Sequence, residues 1–543
     1  ASPAAGAWPR AARRLRSRDP LAAWLTRAGE AARRLWRACG GASGHTGGGG
    51  VGEPDGGLRR LHEVAALQRE AGAQFTAADA LTLAPGVLVV CILASLLYSF
   101  LTDLAQADSK TEIAKGQPGD AAPGARPTSS GPQTVFNMIK NMVGEGILSL
   151  PAGVAAGTGL MGSVVIATGF CLMLGYTFSL MGRVCHATGG SSHKACAQKA
   201  SGPVMARVIA VTLMLKTIGT CLSYAIVIGE SFSRILHFFG FSGVFTCRQA
   251  VLLMMTAVVL VPLCLQRDLS MLSYTSLVGL SLEFFVVAFM QVRFLDGSYE
   301  PGGRYYDQIE EKYQPDFDDG VNYWGISAST FVLLGSLSTA YIAHYNAPKF
   351  YSQMRAQSVD NFNKAVGAAF IFSLTIYTWI ICVGYLTFGQ ASNGLILNNY
   401  SESDAGATAA RVAIGFAVVF GFPLAFTALR DSAIDVFGFD AGSDRSFYLV
   451  TFVLLVFVTT MGCFVHDLGL VNSLMGAMFG GMIVLAFPGL LTYYAACNTE
   501  GGKREFSMAE RRGAWVWIAG GCALSTLGSA IVLIKKYAPE LLQ

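Results

Sequence analysis

The sequence predicts an all-α polytopic membrane protein with an eleven-helix core, and three observations carry the prediction. Hydrophobic residues make up 52% of the 543 and charged residues only 14%, with a mean hydropathy of +0.46, a balance that excludes a soluble globule. Beyond residue 130 the chain holds eleven apolar runs, each close to the roughly 20 residues needed to cross a bilayer. The first of them, TVFNMIKNMVGEGILSLPAGVAAG at 134–157, carries Lys140, Glu145 and a Gly-Glu-Gly interruption near its midpoint. That is the pattern of a discontinuous helix lining a solute site, because unwound backbone survives at membrane depth only where protein or a watery cavity supplies partners.

The chain ahead of the core is of another kind. Residues 1–80 are rich in Ala, Arg and Gly; within them, LAAWLTRAGEAARRLWRA suits a basic amphipathic helix in a targeting or unstructured arm. The segment 81–102 holds APGVLVVCILASLLYSFL, an extra N-terminal hydrophobic helix that reads as a retained anchor or as a signal, since Ala105-Gln106-Ala107 behind it resembles a signal-peptidase site. A polar linker fills 103–133. The first methionine is Met138, inside the core, so the chain as given is expected to lack its true start. The transmembrane domain is placed at 134–535, with a short tail at 536–543.

The eleven runs are 134–157, 159–183, 205–231, 249–266, 271–294, 324–348, 364–389, 408–429, 446–465, 470–496 and 514–534. In the first, Gly144 and Gly146 lower the cost of leaving the helix, in a geometry that side chains are expected to crowd. The N–H groups freed behind them form a positive pole suited to a carboxylate. An odd number of spans puts the two ends on opposite sides. If the first span starts in the cytoplasm, the connections on that side carry roughly twice the Lys and Arg of the other, among them Arg183, Lys194, Lys199, Lys349, Arg355, Lys503 and Arg504. Residues 186–204 and 498–512 then face the cytoplasm, and 296–322 and 390–407 face outside or a lumen. The same topology puts the sequon Asn399-Tyr400-Ser401 on the side where glycosylation occurs.

Twelve cysteines are scattered, most of them in apolar runs where they act as small hydrophobes, and they define no disulfide framework. Cys185, His186, His193 and Cys196 have zinc-ligand chemistry, but their spacing matches no standard structural site, so no metal and no cofactor is expected. The net charge of +4 implies no nucleic-acid partner. The chain carries no P-loop, HExxH or GxSxG motif, which excludes ATP as a direct driver and argues against an enzyme.

The stretch FNMIKNMVGEGILSLP (136–151) closely resembles the first helix of the amino acid/auxin permease family, in the APC superfamily. Further along, GTCLSYAIVIGESF (219–232), LSMLSYTSLVGL at the fifth span, AHYNAPKFYSQM (343–354), FPLAFTALRDS at the eighth and MGAMFGGMIVLAFPGLLTY at the tenth are similar to family motifs in the same order. The resemblance implies a LeuT-like fold: a 5+5 inverted repeat with helices 1 and 6 broken at the site, then an eleventh helix. The residues of span six support it independently, because GSLSTAYIAHYNAPKF mixes Ser, Thr, His, Asn and Pro at bilayer depth.

The expected substrate site is Asn141, Gly144, Glu145 and Gly146 on helix 1, faced by Ser338, Thr339 and Tyr341 on helix 6. Coupling or gating is expected of Lys140, Glu145, Glu283 and His344. Lys140 lies one turn before the break, where its ammonium can stand in for a bound cation or snorkel to the interface. The resemblance implies that sodium-coupled members place an Asn sodium ligand at this position and that proton-coupled members often have Lys. Glu145 departs from the small residue usual in the family, and three readings are open: a partner for Lys140, a proton acceptor, or recognition of a cationic substrate. Lys216, Glu230, Glu283 and His344 are further intramembrane candidates, each against a snorkelling or packed alternative. The expected function is a proton-coupled secondary amino acid transporter, a symporter in a lipid bilayer. The alternative is an amino acid sensor of the same fold. Plasma membrane, lysosome or vacuole, and plastid envelope all fit.

Overall fold

The computed structural model describes residues 129–266, 272–317, 320–440 and 443–542. The arm at 1–80, the hydrophobic segment at 81–102 and the linker up to residue 128 lie outside the described residues.

The first helix, α1a (Gly131–Met142), starts three residues before the expected span because Ser130 and Gln133 form a reciprocal capping box and Pro132 sits in the first turn. A tight turn at Glu145–Ser149 leads into α1b (Leu150–Ala155). Then follow α2 (Leu160–Thr188), α3 (Pro203–Phe238), α4 (Arg248–Cys264) and α5 (Leu272–Leu295). Helix six is split into α6a (Thr330–Ala340) and α6b (Ala347–Gln353). The chain continues through α7 (Val359–Phe388), α8 (Ala405–Phe437), α9 (Asp444–Phe464), α10 (Leu468–Asn498) and α11 (Met508–Tyr537). Among the described residues, α2, α3 and α7 to α11 are the seven helices long and apolar enough to cross a membrane unbroken. Large apolar side chains on α9 and α11, such as Phe452, Phe464, Trp515 and Val516, are exposed, as lipid-facing residues are. The protein is an integral, multi-pass membrane protein.

The second break comes five helices after the first, on a helix running the opposite way. α2 packs on α7, α3 on α8 and α4 on α9, so each of these helices touches the one five places later. This is the contact pattern of two inverted five-helix repeats related by an axis between them, with α11 added outside. α6a meets α10 at two glycines: a Cβ on Gly476 would fall 1.8 Å from the Gly335 carbonyl oxygen, and one on Gly335 would fall 2.2 Å from that of Ser473.

The N-terminal chain enters the bundle at Ser129, whose N–H donates to the Gln353 carbonyl (3.0 Å) and whose carbonyl accepts from Arg355 N–H (3.0 Å), pinning it to the end of α6b. At the opposite end, fully buried Asp404 takes two 2.7 Å bonds from Arg293 and one from the Tyr299 hydroxyl. The sequon does not behave as a surface site. Asn399 is fully buried, with its amide donating to the carbonyls of Ala391 (2.7 Å) and Tyr313 (3.3 Å) and accepting from Asn393 N–H (2.8 Å). A side chain so engaged holds the loop instead of presenting itself for modification.

Candidate functional site

Both breaks leave backbone groups that need partners. In the first, Val143 and Gly144 are extended and the helix resumes only at Glu145. In the second, α6a ends at Ala340, and a turn at His344–Asn346 precedes α6b, which has a proline in its first turn. Three tethers join the breaks to their surroundings. Asn346 donates its amide to Asn141 Oδ1 (2.9 Å), linking the two breaks directly. The Tyr377 hydroxyl on α7 reaches the carbonyls of Met142 (2.9 Å) and Ala340 (2.7 Å), the last of α1a and of α6a. Asn472 on α10 forms a hub: its side chain accepts from Ser223 Oγ (2.8 Å) and donates to Ser149 Oγ (3.2 Å), and its carbonyl accepts from Thr339 Oγ1 (2.7 Å).

Beside the breaks lies a cavity of about 570 Å³. Its lining runs from Gly144, Glu145 and Gly146 past Lys140 and Glu283 to Asn137, Lys349, Gln353 and Asp431, towards the end of the bundle where Tyr351 meets His186 and Asp435 meets Lys194. A second cavity of about 550 Å³ opens at the other end, lined by Arg234, His237, Glu310 and Glu402 among others, and shares no lining residue with the first.

Of the expected site residues, Lys140, Asn141, Gly144, Glu145, Gly146, Glu283 and Thr339 line the first cavity; Ser338, Tyr341 and His344 do not. Ser338 returns its hydroxyl to the Leu334 carbonyl of its own helix (2.8 Å). Tyr341 turns behind the break, stacked on Phe370 at 5.6 Å and edge-on to Tyr377 at 4.6 Å. His344 is fully buried against α2, its Nε2 3.1 Å from both Thr177 Oγ1 and the Leu174 carbonyl, which is the environment of a packed histidine. Crowding at the glycines is also absent. A Cβ at Gly144 would meet nothing within 4 Å, and one at Gly146 would only touch Thr339 Cγ2 at 3.6 Å. The two glycines keep cavity space open and do not relieve a clash.

Glu145 is not ion-paired with Lys140. It is buried in the cavity wall without a direct ion pair among the described residues, and the charge acting on it is that of the Lys216 ammonium on α3, with Tyr224 on the same helix, whereas the charge acting on Lys140 is that of Glu283 on α5. Lys216 itself donates to Thr220 Oγ1 (2.8 Å). Sequence reasoning left Lys216 undecided and missed Tyr224. The signal was present, since Lys216, Thr217, Thr220 and Tyr224 fall on one face of α3 and all line the cavity. Three cations (Lys140, Lys216, Lys349) and three acids (Glu145, Glu283, Asp431) therefore share one cavity.

The zinc-type residues are not assembled into a site. His186 accepts from or donates to the Tyr351 hydroxyl (2.9 Å), Cys185 reaches the Gly190 carbonyl (2.7 Å), and no group of three or more His, Cys, Asp or Glu suited to a metal ion occurs among the described residues.

The sequence profile of a family described as "Transmembrane amino acid transporter protein" matches residues 127–534. The chain is 25% identical over 387 residues to "Vacuolar amino acid transporter 5" of Schizosaccharomyces pombe, covering 68% of this chain and 88% of that protein. It is 22% identical over 435 residues to "Sodium-coupled neutral amino acid transporter 7" of Homo sapiens, covering 76% and 88%. Among solved structures, MhsT in complex with L-phenylalanine aligns at 14% identity with a TM-score of 0.46, over 76% of this chain and 99% of that one. The profile match spans well over half of the sequence and takes in both breaks and every cavity residue named above: the chain belongs to the transmembrane amino acid transporter family.

Proposed function

We propose that the protein is a secondary active transporter that moves amino acids across a membrane, coupled to protons, by alternating access around the breaks in helices 1 and 6. The observation that carries this reading is that one cavity gathers both breaks together with Lys140, Glu145, Lys216 and Glu283. The N–H groups at the start of the Glu145 turn offer a positive pole to a carboxylate. Intramembrane ionisable groups at such a place are suited to carrying protons. The names of the relatives divide, one being sodium-coupled and another vacuolar. Here Lys140 supports the proton reading, because the resemblance implies an Asn sodium ligand at this position in sodium-coupled members and often Lys in proton-coupled ones. The Asn472 hub, which ties α10 to α3, to the turn after the first break and to α6a, is in this reading the barrier that opens as the first cavity closes.

A second reading, a sensor with the same fold, has one observation in its favour: the chain leading from the N-terminal arm is bonded to α6b at the cavity mouth. Uptake of radiolabelled amino acids into proteoliposomes, with proton and sodium gradients imposed separately, tests both. The expected result is uptake that follows the pH gradient and is indifferent to sodium replacement, with pH-driven uptake lost in Lys140→Ala. Sodium-dependent uptake without response to pH overturns the coupling assignment. Saturable binding without any uptake favours the sensor.

A further inference from the structure

We propose that Tyr377 is a positioning residue that couples the two breaks, so that the end of α1a and the end of α6a move as one. The inference rests on the transport reading above for its kinetic consequence, but its geometry stands apart from it.

Tyr377 is fully buried in the middle of α7 and does not line the cavity. Its hydroxyl lies 2.9 Å from the Met142 carbonyl and 2.7 Å from the Ala340 carbonyl, the two chain ends at which the helices come apart. A phenol has one proton, and both partners are acceptors only, so one proton serves two carbonyls. Each is a carbonyl that a broken helix has orphaned, in the wall of the cavity where its own helix supplies no donor. Neither break can then shift away from α7 without giving up its bond to the hydroxyl or pulling the shared donor from the other. The ring is fixed edge-on against Tyr341 at 4.6 Å, so the hydroxyl cannot follow one carbonyl freely. Because Met142 and Ala340 line the cavity while Tyr377 stands behind them, the tyrosine sets the spacing of the site without touching its contents. Sequence reading missed it, since a tyrosine in SLTIYTWIICVGYL looks like an ordinary core aromatic.

The test compares the unmodified protein, Tyr377→Phe and Thr387→Val. The phenylalanine keeps the ring and its packing while losing the hydroxyl. The valine removes a hydroxyl from the same helix that donates to the Val383 carbonyl within it, away from both breaks. Proteoliposome kinetics and hydrogen–deuterium exchange are both read. Tyr377→Phe should lower the maximal uptake rate about tenfold with half-saturation changed less than about twofold, as expected for a hydrogen bond that governs the conformational step and not binding. Exchange should rise together in segments 141–147 and 340–346, and Thr387→Val should do neither. Exchange that rises in only one segment, or a Tyr377→Phe protein with unaltered exchange and turnover, overturns the proposal. If the unmodified protein moves no amino acid, the transport reading fails, and the exchange comparison still decides whether Tyr377 ties the breaks.

Discussion

Replacing Gly476 by alanine puts the contact between α6a and α10 to a quantitative test. The added Cβ would lie 1.8 Å from the Gly335 carbonyl oxygen and 2.5 Å from Thr339 Oγ1. A carbon normally approaches a carbonyl oxygen no closer than about 3.3 Å, so α10 would have to retreat by about 1.5 Å from a neighbour that is backbone and cannot rotate aside. Overpacking of this kind costs about 1–3 kcal/mol. The retreat also breaks the 2.7 Å bond from Thr339 to the Asn472 carbonyl, adding about 1 kcal/mol. Gly476→Ala should therefore be destabilised by about 2–4 kcal/mol. It should also loosen the barrier, so that a cysteine placed at Ser223 becomes reachable by an impermeant thiol reagent from the side opposite the first cavity. Gly144→Ala is the contrast. Its methyl meets no atom within 4 Å, so its melting should stay within about 0.5 kcal/mol of the unmodified protein, while substrate affinity falls because the methyl enters the cavity. Detergent-micelle melting curves and labelling from each side read both effects. A Gly476→Ala protein with unchanged melting and a protected Ser223→Cys would refute the packing argument.

Two further expectations follow from charges. Glu145→Gln and Lys216→Met should not be additive in uptake, the double-mutant cycle giving a coupling of at least about 1 kcal/mol, and Glu145→Gln alone should shift preference between cationic and neutral amino acids; additive effects with unaltered preference would remove Lys216 as the partner. His193, on the short helix His193–Ser201, is buried with no partner at either ring nitrogen among the described residues, and burial holds it down to about 4. Its folded value lies below the unfolded one of about 6.5, so stability is full above that pH and is lost as pH falls from there towards 4, by up to about 3 kcal/mol. His193→Phe should flatten this acid limb, and identical pH–melting profiles for the two proteins would contradict it.

The spans were legible because twenty-residue apolar runs leave little choice of structure, and the first break was legible because Gly-Glu-Gly interrupts one of them. Lys140, Glu145, Glu283 and Thr339 reach the cavity as their place on the helices suggests. What a single chain conceals is the direction taken at a break. Helical spacing cannot be continued past Ala340, where Tyr341 swings behind the chain and His344 packs on α2, so neither could be located from the pattern of α6a. Contacts between distant helices were equally hidden. The meeting of Lys216 and Glu145 in one cavity, the Asn472 hub and the reach of Tyr377 all depend on which helices become neighbours, and the inverted arrangement decides that without a mark in local sequence. The buried Asn399 is a similar case, a sequon whose three hydrogen bonds come from loop segments that only the folded chain brings together.

The bridge at Ser129 gives the bundle a mechanical yoke. One residue is bonded on both sides to the end of α6b, and the next residue in the chain, Ser130, caps α1a. Tension or torque arriving along the preceding chain is thus divided at a single point between the two half-helices that border the cavity mouth. A load that peels Ser129 away has only two backbone hydrogen bonds to break before it bears on α1a alone. A load that presses it inward clamps α1a and α6b together.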